Sequence, residues 1–260
     1  MELVLIGVAA LLTSGLTLFS GFGLGTILMP VFALFFPLPL AIAATAVVHF
    51  ANNIFKFGIL AKQADWRVVA RFGVPAALTA IAGAGVLGLV DRMPVLWRYS
   101  LGTASLEVTP VKAVIGILII VFALLELWPR FQSLAFSPRW LPLGGALSGF
   151  FGGLSGNQGA LRSAFLLKAG LSKEAFVATG AISAVIVDAV RLLVYGTTVL
   201  ATHFAQSQAL LAPVVVASLA AFMGAFVGKK FLSKVTLRAV QLTVAGAMLA
   251  IGLGLASGVV

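Results

Sequence analysis

The chain contains no cysteine, only 9% charged residues, and two histidines that lie far apart, His49 and His203. Without cysteine, disulfides and thiolate metal sites are excluded, and two distant histidines make a zinc centre a poor reading. The charge deficit excludes more. A soluble domain needs about 25% charged residues to cover its surface, so most of this surface must face something other than water. No nucleotide-binding loop of the G-x-x-x-x-G-K-[ST] type occurs, so ATP is not the expected energy source. There is also no H-E-x-x-H and no Ser–His pairing that would make an intramembrane enzyme, and no cofactor is implied.

What is present is apolar sequence. Of 260 residues, 61% are hydrophobic and mean hydropathy is +1.16. Long apolar runs recur near the ~20 residues that cross a hydrocarbon core as helix. Barrel strands would alternate polar and apolar residues, and these runs do not. The expected fold is therefore an all-α polytopic membrane protein, multi-pass and surrounded by lipid. The N-terminus is apolar from Leu3 without a basic flank, which reads as mature structure rather than a cleaved signal. The formal charge of +10 comes from short basic clusters between apolar runs, a topology signal rather than a nucleic-acid surface.

Eight apolar segments are expected, at about 3–36, 39–60, 68–90, 111–128, 140–168, 173–200, 209–228 and 237–258, with Asp91–Pro110 as the longest polar connection. The first segment is broken by Ser20-Gly21-Phe22-Gly23-Leu24-Gly25. The fifth is broken by Ser148-Gly149, Gly152-Gly153 and Ser155-Gly156-Asn157-Gln158-Gly159. Ser20-Gly21 aligns with Ser155-Gly156, and Ala41–Thr45 aligns with Ala175–Thr179 after a one-residue gap. Two four-segment repeats follow, residues 1–130 and 131–260, each opening on a glycine-broken segment. Paired broken segments point to a transporter binding site.

Segments one and five either cross fully or turn back as re-entrant hairpins. Full crossing divides the loop Lys and Arg residues nine to five. Hairpins leave only Arg92, Arg98 and Lys112 outside and the other eleven inside, which fits the positive-inside rule better. The hairpin model is preferred; it makes the halves inverted repeats, with both termini outside.

Helices starting after Gly25 and Gly159 would present free N–H groups and positive dipole ends, which suits an anion. Asn157 and Gln158 add donors. The same glycines would also serve simple close packing of helices. Charges inside spans are expensive and usually face a cavity. On segment two, His49, Asn52, Asn53 and Lys56 share a helix face; on segment six, Asp188, Arg191 and Tyr195 do, with Thr179 and Ser183 about two turns earlier. Arg162 follows the second glycine turn. Lys56, Arg162 and Arg191 against Asp188 favour an anionic substrate. The expected substrate-binding set is Gly21, Gly23, Gly25, Gly156, Asn157, Gln158, Gly159, Arg162, Lys56, Asn52 and Arg191. Asp188 and His49 are the candidates for coupling to a proton or another ion. The bland alternatives are a snorkelling Lys56, a structural Asp188–Arg191 pair and a packing His49.

Gly21-Phe22-Gly23-Leu24-Gly25 followed by Leu28-Met29-Pro30 resembles the TauE/SafE family of sulfite and organosulfonate exporters, over essentially the whole chain. That family repeats its glycine turn at the start of its second half. Here the second copy, Gly156-Asn157-Gln158-Gly159-Ala160, has Asn and Gln where the family has an apolar residue and glycine, which points to a subgroup with its own substrate. The resemblance implies a bacterial inner-membrane permease, often an exporter, for small sulfur-containing or other organic anions. The expected function is secondary transport by alternating access. An anion channel, or a non-transporting assembly or regulatory protein, are the rival readings, and a homo-oligomer is compatible with either.

Overall fold

The computed structural model describes residues 1–20, 24–128, 130, 134–231 and 237–260. Among the described residues, ten helices of eight residues or more carry the architecture: α1 (Glu2–Ser20), α2 (Leu24–Ala33), α3 (Leu38–Leu60), α4 (Trp66–Asp91), α5 (Pro110–Leu127), α6 (Leu141–Ser155), α7 (Gly159–Leu166), α8 (Lys173–Thr197), α9 (Leu211–Phe231) and α10 (Leu237–Ser257). Among the described residues, five stretches are long and apolar enough to cross a membrane: Leu38–Gly58, Trp66–Asp91, Pro110–Leu127, Lys173–Thr202 and Ala205–Val227. The protein is thus an all-α, multi-pass membrane protein.

Its surface pattern is that of a protein solvated by lipid. Val74, Leu78 and Ile81 on α4, Ile117, Val121 and Leu124 on α5, and Val215, Leu219, Met223 and Phe226 on α9 form exposed apolar stripes at helical spacing. All four tryptophans, Trp66, Trp97, Trp128 and Trp140, are exposed and stand at or beyond helix ends. Amphipathic indoles favour the headgroup level, so these positions mark the two interfaces.

Helix boundaries follow local chemistry. Asp65 caps α4 by accepting from the amides of Arg67 and Val68 at 2.9 and 3.1 Å. Thr109 caps α5 ahead of Pro110, whose missing N–H is no loss at a first helical position. Ser172 caps α8 by accepting from Ala175 N. The Asp91–Pro110 connection, expected as a polar loop, holds an antiparallel hairpin of β1 (Trp97–Leu101) and β2 (Ala104–Val108), turning at Gly102. Arg98 faces Glu107 across it at 2.7 Å. Tyr99 ties it to the end of α10 by donating to Ser257 O at 2.5 Å.

Contacts along the helices fix their directions. Phe72, Ala76 and Ala80 of α4 meet Gly145, Gly149 and Gly153 of α6 in step, so these helices run parallel. Gly73 meets Ile186 and Gly88 meets Thr198, so α4 and α8 are parallel as well. Between two helices that run the same way, α7 must run back. It does: a Cβ on Gly144 would strike Phe165, Phe136 N donates to Ala164 O at 3.2 Å, and Ser148 Oγ donates to Gln158 O at 3.0 Å. Helices α6 and α7 therefore form a hairpin, with arms of about 22 and 12 Å. Asp65 N donating to Thr179 and His49 meeting Asp188 set α3 antiparallel to α8. Gly116 meeting Gly252 and Ala256 while Val108 meets Gly258 does the same for α5 and α10. Gly7 at Val216 and Leu11 at Gly224 set α1 parallel to α9. As α9 returns from the end of α8, α1, α3 and α9 run one way and α2 runs against them.

Candidate functional site

The two glycine-broken segments meet. A Cβ on Gly25, in the first turn of α2, would lie 3.5 Å from Gly156 O and 3.9 Å from His49 Cδ2. Gly21 and Gly23, the other two glycines of the first turn, lie outside the described residues. At the second break the chain leaves α6 through Gly156, whose φ of 83° is left-handed and open to glycine without the penalty a Cβ would carry. There is no room for a side chain either: a Cβ at Gly156 would sit 2.9 Å from Arg191 Nη1.

Around this turn is a cavity of about 20 Å³, lined by Gly25, Thr26, His49, Phe122, Glu126, Gly156, Asn157, Gln158, Gly159, Ala160 and Arg162. That is room for about one water molecule. Gln158, at the N-cap of α7, makes no side-chain cap, and Gly159 and Ala160 of the first turn of α7 line the cavity. The start of α2 borders the same space through Gly25 and Thr26. Arg162, buried, reaches it from the first turn of α7, its stem running over Gly180 of α8 at a spacing of 3.5 Å from that glycine's Cβ position. Two positive helix ends and a guanidinium thus surround one polar cavity, an arrangement suited to negative charge.

Behind the lining is a buried polar cluster centred on Asp188, which is fully buried. Asp188 Oδ1 accepts from Gln158 Nε2 at 3.1 Å and from Arg191 Nε at 3.0 Å, with Arg191 Nη2 at 2.8 Å; Oδ2 meets His49 Nδ1 at 2.6 Å. Arg191 also donates through Nη1 to Gly152 O at 3.1 Å, and Tyr195 donates its hydroxyl to Gly153 O. Both carbonyls belong to the last turn of α6, where the negative dipole end favours a cation; Gly152 O also accepts from Gly156 N at 3.0 Å. Asn157 Nδ2 donates to Ser155 Oγ at 3.2 Å within the turn.

Of the residues expected from sequence, the cavity gathers Gly25, His49, Gly156, Asn157, Gln158, Gly159 and Arg162. Asp188 and Arg191 stand one layer behind them. Asn52 is buried elsewhere on α3, where its Oδ1 accepts from Ser14 of α1 at 3.4 Å. Lys56 is half-buried two turns beyond His49, outside the lining but within electrostatic reach of Arg162. Thr179 serves packing by accepting from Asp65 N at 3.0 Å. Sequence reasoning missed Glu126 and Phe122, one turn apart on α5 and both on the cavity wall. Glu126 lies next to the end of its helix and reads there as an interfacial residue, yet its side chain is buried. An acidic residue inside an apolar run was the available signal.

A family model described as sulfite exporter TauE/SafE matches residues 3–255. No curated protein and no solved structure matches the chain. With nearly every residue inside that match, and with the fold of a multi-pass helical membrane protein, the chain belongs to the TauE/SafE family of membrane permeases.

Proposed function

We propose that the protein is a secondary transporter of a small anion, such as sulfite, an organosulfonate or a related organic anion, by alternating access. The observation that carries this reading is the cavity between the first turns of α2 and α7, into which Arg162 reaches. Backbone amides at a helix start together with a guanidinium suit an oxyanion, by charge and by donor direction. Arg191 is held by Asp188 and Gly152 and supports the turn; Arg162, Asn157, Gln158 and the α7 amides are the direct ligands in this reading. The cavity is smaller than a sulfur oxyanion, so binding is accompanied by widening of the space between the starts of α2 and α7.

Two further features support it. Exchanging residues 1–130 for 131–260 turns the α4–α6 packing into the α9–α1 packing and leaves the α3–α8 and α5–α10 pairs in place. Helix directions reverse in the exchange, as inverted repeats require. With hairpins at segments one and five, Arg92, Arg98 and Lys112 fall on one side and the remaining eleven loop cations on the other, which is then cytoplasmic. Rocking of one half against the other would carry the site between faces. Such motion is coupled only if the anion binds the two facings differently.

The test is thermal stability of purified protein in detergent, titrated with sulfite, sulfate, thiosulfate, ethanesulfonate and acetate. A ligand at a hundred times its Kd stabilises by about 2.7 kcal/mol, a readily measured rise in melting temperature. The expected result is a rise with one or more sulfur oxyanions that is lost in Arg162→Gln, while the unliganded melting temperature of the variant stays within a few degrees. An anion response undiminished in Arg162→Gln would remove that residue from the site.

A further inference from the structure

An anion site lined by a carboxyl group needs an explanation. Glu126 is 5% exposed, projects from the apolar helix α5, and shares the cavity wall with Arg162 and His49. It is the single acidic residue on that wall among the described residues. Lys56 follows His49 on α3, and Asp188 and Arg191 of α8 lie behind Gln158. Of the other helices around α5, α6 has no charged residue, α4 has Arg67, Arg71 and Asp91 near its ends, and α10 has Arg238 at its start. Asp188 is occupied by Gln158, Arg191 and His49. Glu126 borders the space that an incoming anion would enter.

We propose that Glu126 is the proton-carrying group of the anion site, so that one proton and one anion occupy the cavity together. The proposal rests on the anion reading above and adds the coupling to it. Ionised, Glu126 places a like charge against the anion and competes for the same guanidinium. Protonated, it loses that charge and gains an O–H that donates to the anion. The proton comes from solvent with the anion and leaves with it, so no other reactant is needed. Linkage is reciprocal: if the proton favours the anion, the anion favours the proton by the same factor. A proton gradient would then drive anion movement without ATP.

The probe is ethanesulfonate, which stays ionised across the working range, whereas sulfite itself titrates. Its Kd is measured on purified protein from pH 5 to 8.5. Wild type should weaken toward a tenfold loss per pH unit on the alkaline side, the slope of one linked proton. Glu126→Gln, which mimics the protonated form, should bind with a flat profile and at least about tenfold tighter than wild type at pH 8. A wild-type Kd that ignores pH, or a slope that persists in Glu126→Gln and vanishes in His49→Asn, overturns the proposal. So does loss of ethanesulfonate binding in a folded Glu126→Gln, or selective loss of an amino-substituted sulfonate, which would make Glu126 an ammonium ligand. Should Glu126→Gln fail to fold, proton uptake by wild type on adding ethanesulfonate in weak buffer on the alkaline side of the Kd profile decides: close to one proton per anion supports the coupling, and none refutes it. Absence of binding by every anion tested would instead refute the anion site itself.

Discussion

At the scale of single residues, the most constrained group is Asp188. It is fully buried and receives Arg191, His49 and Gln158, so it joins α3, α7 and α8 at one point. Breaking a buried pair by removing one charge costs about 3–5 kcal/mol, because the partner is left without compensation. Asp188→Asn should therefore lower the melting temperature in detergent sharply, and Asp188→Asn/Arg191→Met should recover more than half of the loss. Equal losses in the single and double variants would mean that Arg191 is not the residue that Asp188 compensates. Much of this cluster was legible in the sequence, since charges within apolar spans are rare and the i, i+3 spacing of Asp188 and Arg191 puts them on one helix face. What spacing could not say is which atoms they satisfy. The bond from Arg191 to Gly152 joins residues far apart in the chain, and it moves Arg191 from the cavity to the end of α6. Glu126 was lost for a related reason: position near a helix end does not distinguish a side chain that reaches lipid headgroups from one that turns inward.

At the scale of elements, the α4–α6 seam carries the closest packing. Gly145, Gly149 and Gly153 recur every fourth residue, and a Cβ at any of them would strike the carbonyl of Phe72, Ala76 or Ala80. Thr79 adds a bond to Ala146 O at 2.7 Å. Lipid gives helices no hydrophobic reason to associate, so close backbone approach and dispersion do that work. Gly149→Leu should cost about 3 kcal/mol or more by overpacking, read as a lower melting temperature and poor recovery of monodisperse protein. On the facing helix, a Cβ at Gly85 meets nothing within 4 Å, and Gly85→Leu should change stability by no more than about 0.5 kcal/mol. Equal damage from both variants would argue against a specific seam. The glycine breaks themselves were plain in the sequence, because runs of glycine inside apolar stretches have few other uses. The hairpin at Trp97–Val108 was not, since its strands are short and its pairing is a matter of register rather than composition.

At the scale of the whole molecule, the question is whether segment five crosses the membrane or returns. The direction of α7 against α6, and the parallel course of α6 and α8, place residues 137 and 172 at the same end of the helix bundle. The tip of the β-hairpin, beside Ser100, lies at the other end with His203 and Asp91, which meet at 2.9 Å. Because the chain has no cysteine, single substitutions can be labelled without a cleared background. Ser137, Ser172 and Ser100 are all exposed. In intact cells a membrane-impermeant maleimide should label Ser100→Cys and leave Ser137→Cys and Ser172→Cys unlabelled until the membrane is opened. If segment five crossed fully, Ser137→Cys and Ser172→Cys would label from opposite faces. That outcome would remove the hairpin from the membrane reading, undo the eleven-to-three division of loop cations, and leave the two halves parallel rather than inverted. Labelling of Ser137→Cys and Ser172→Cys together from outside would keep the hairpin and reverse the orientation.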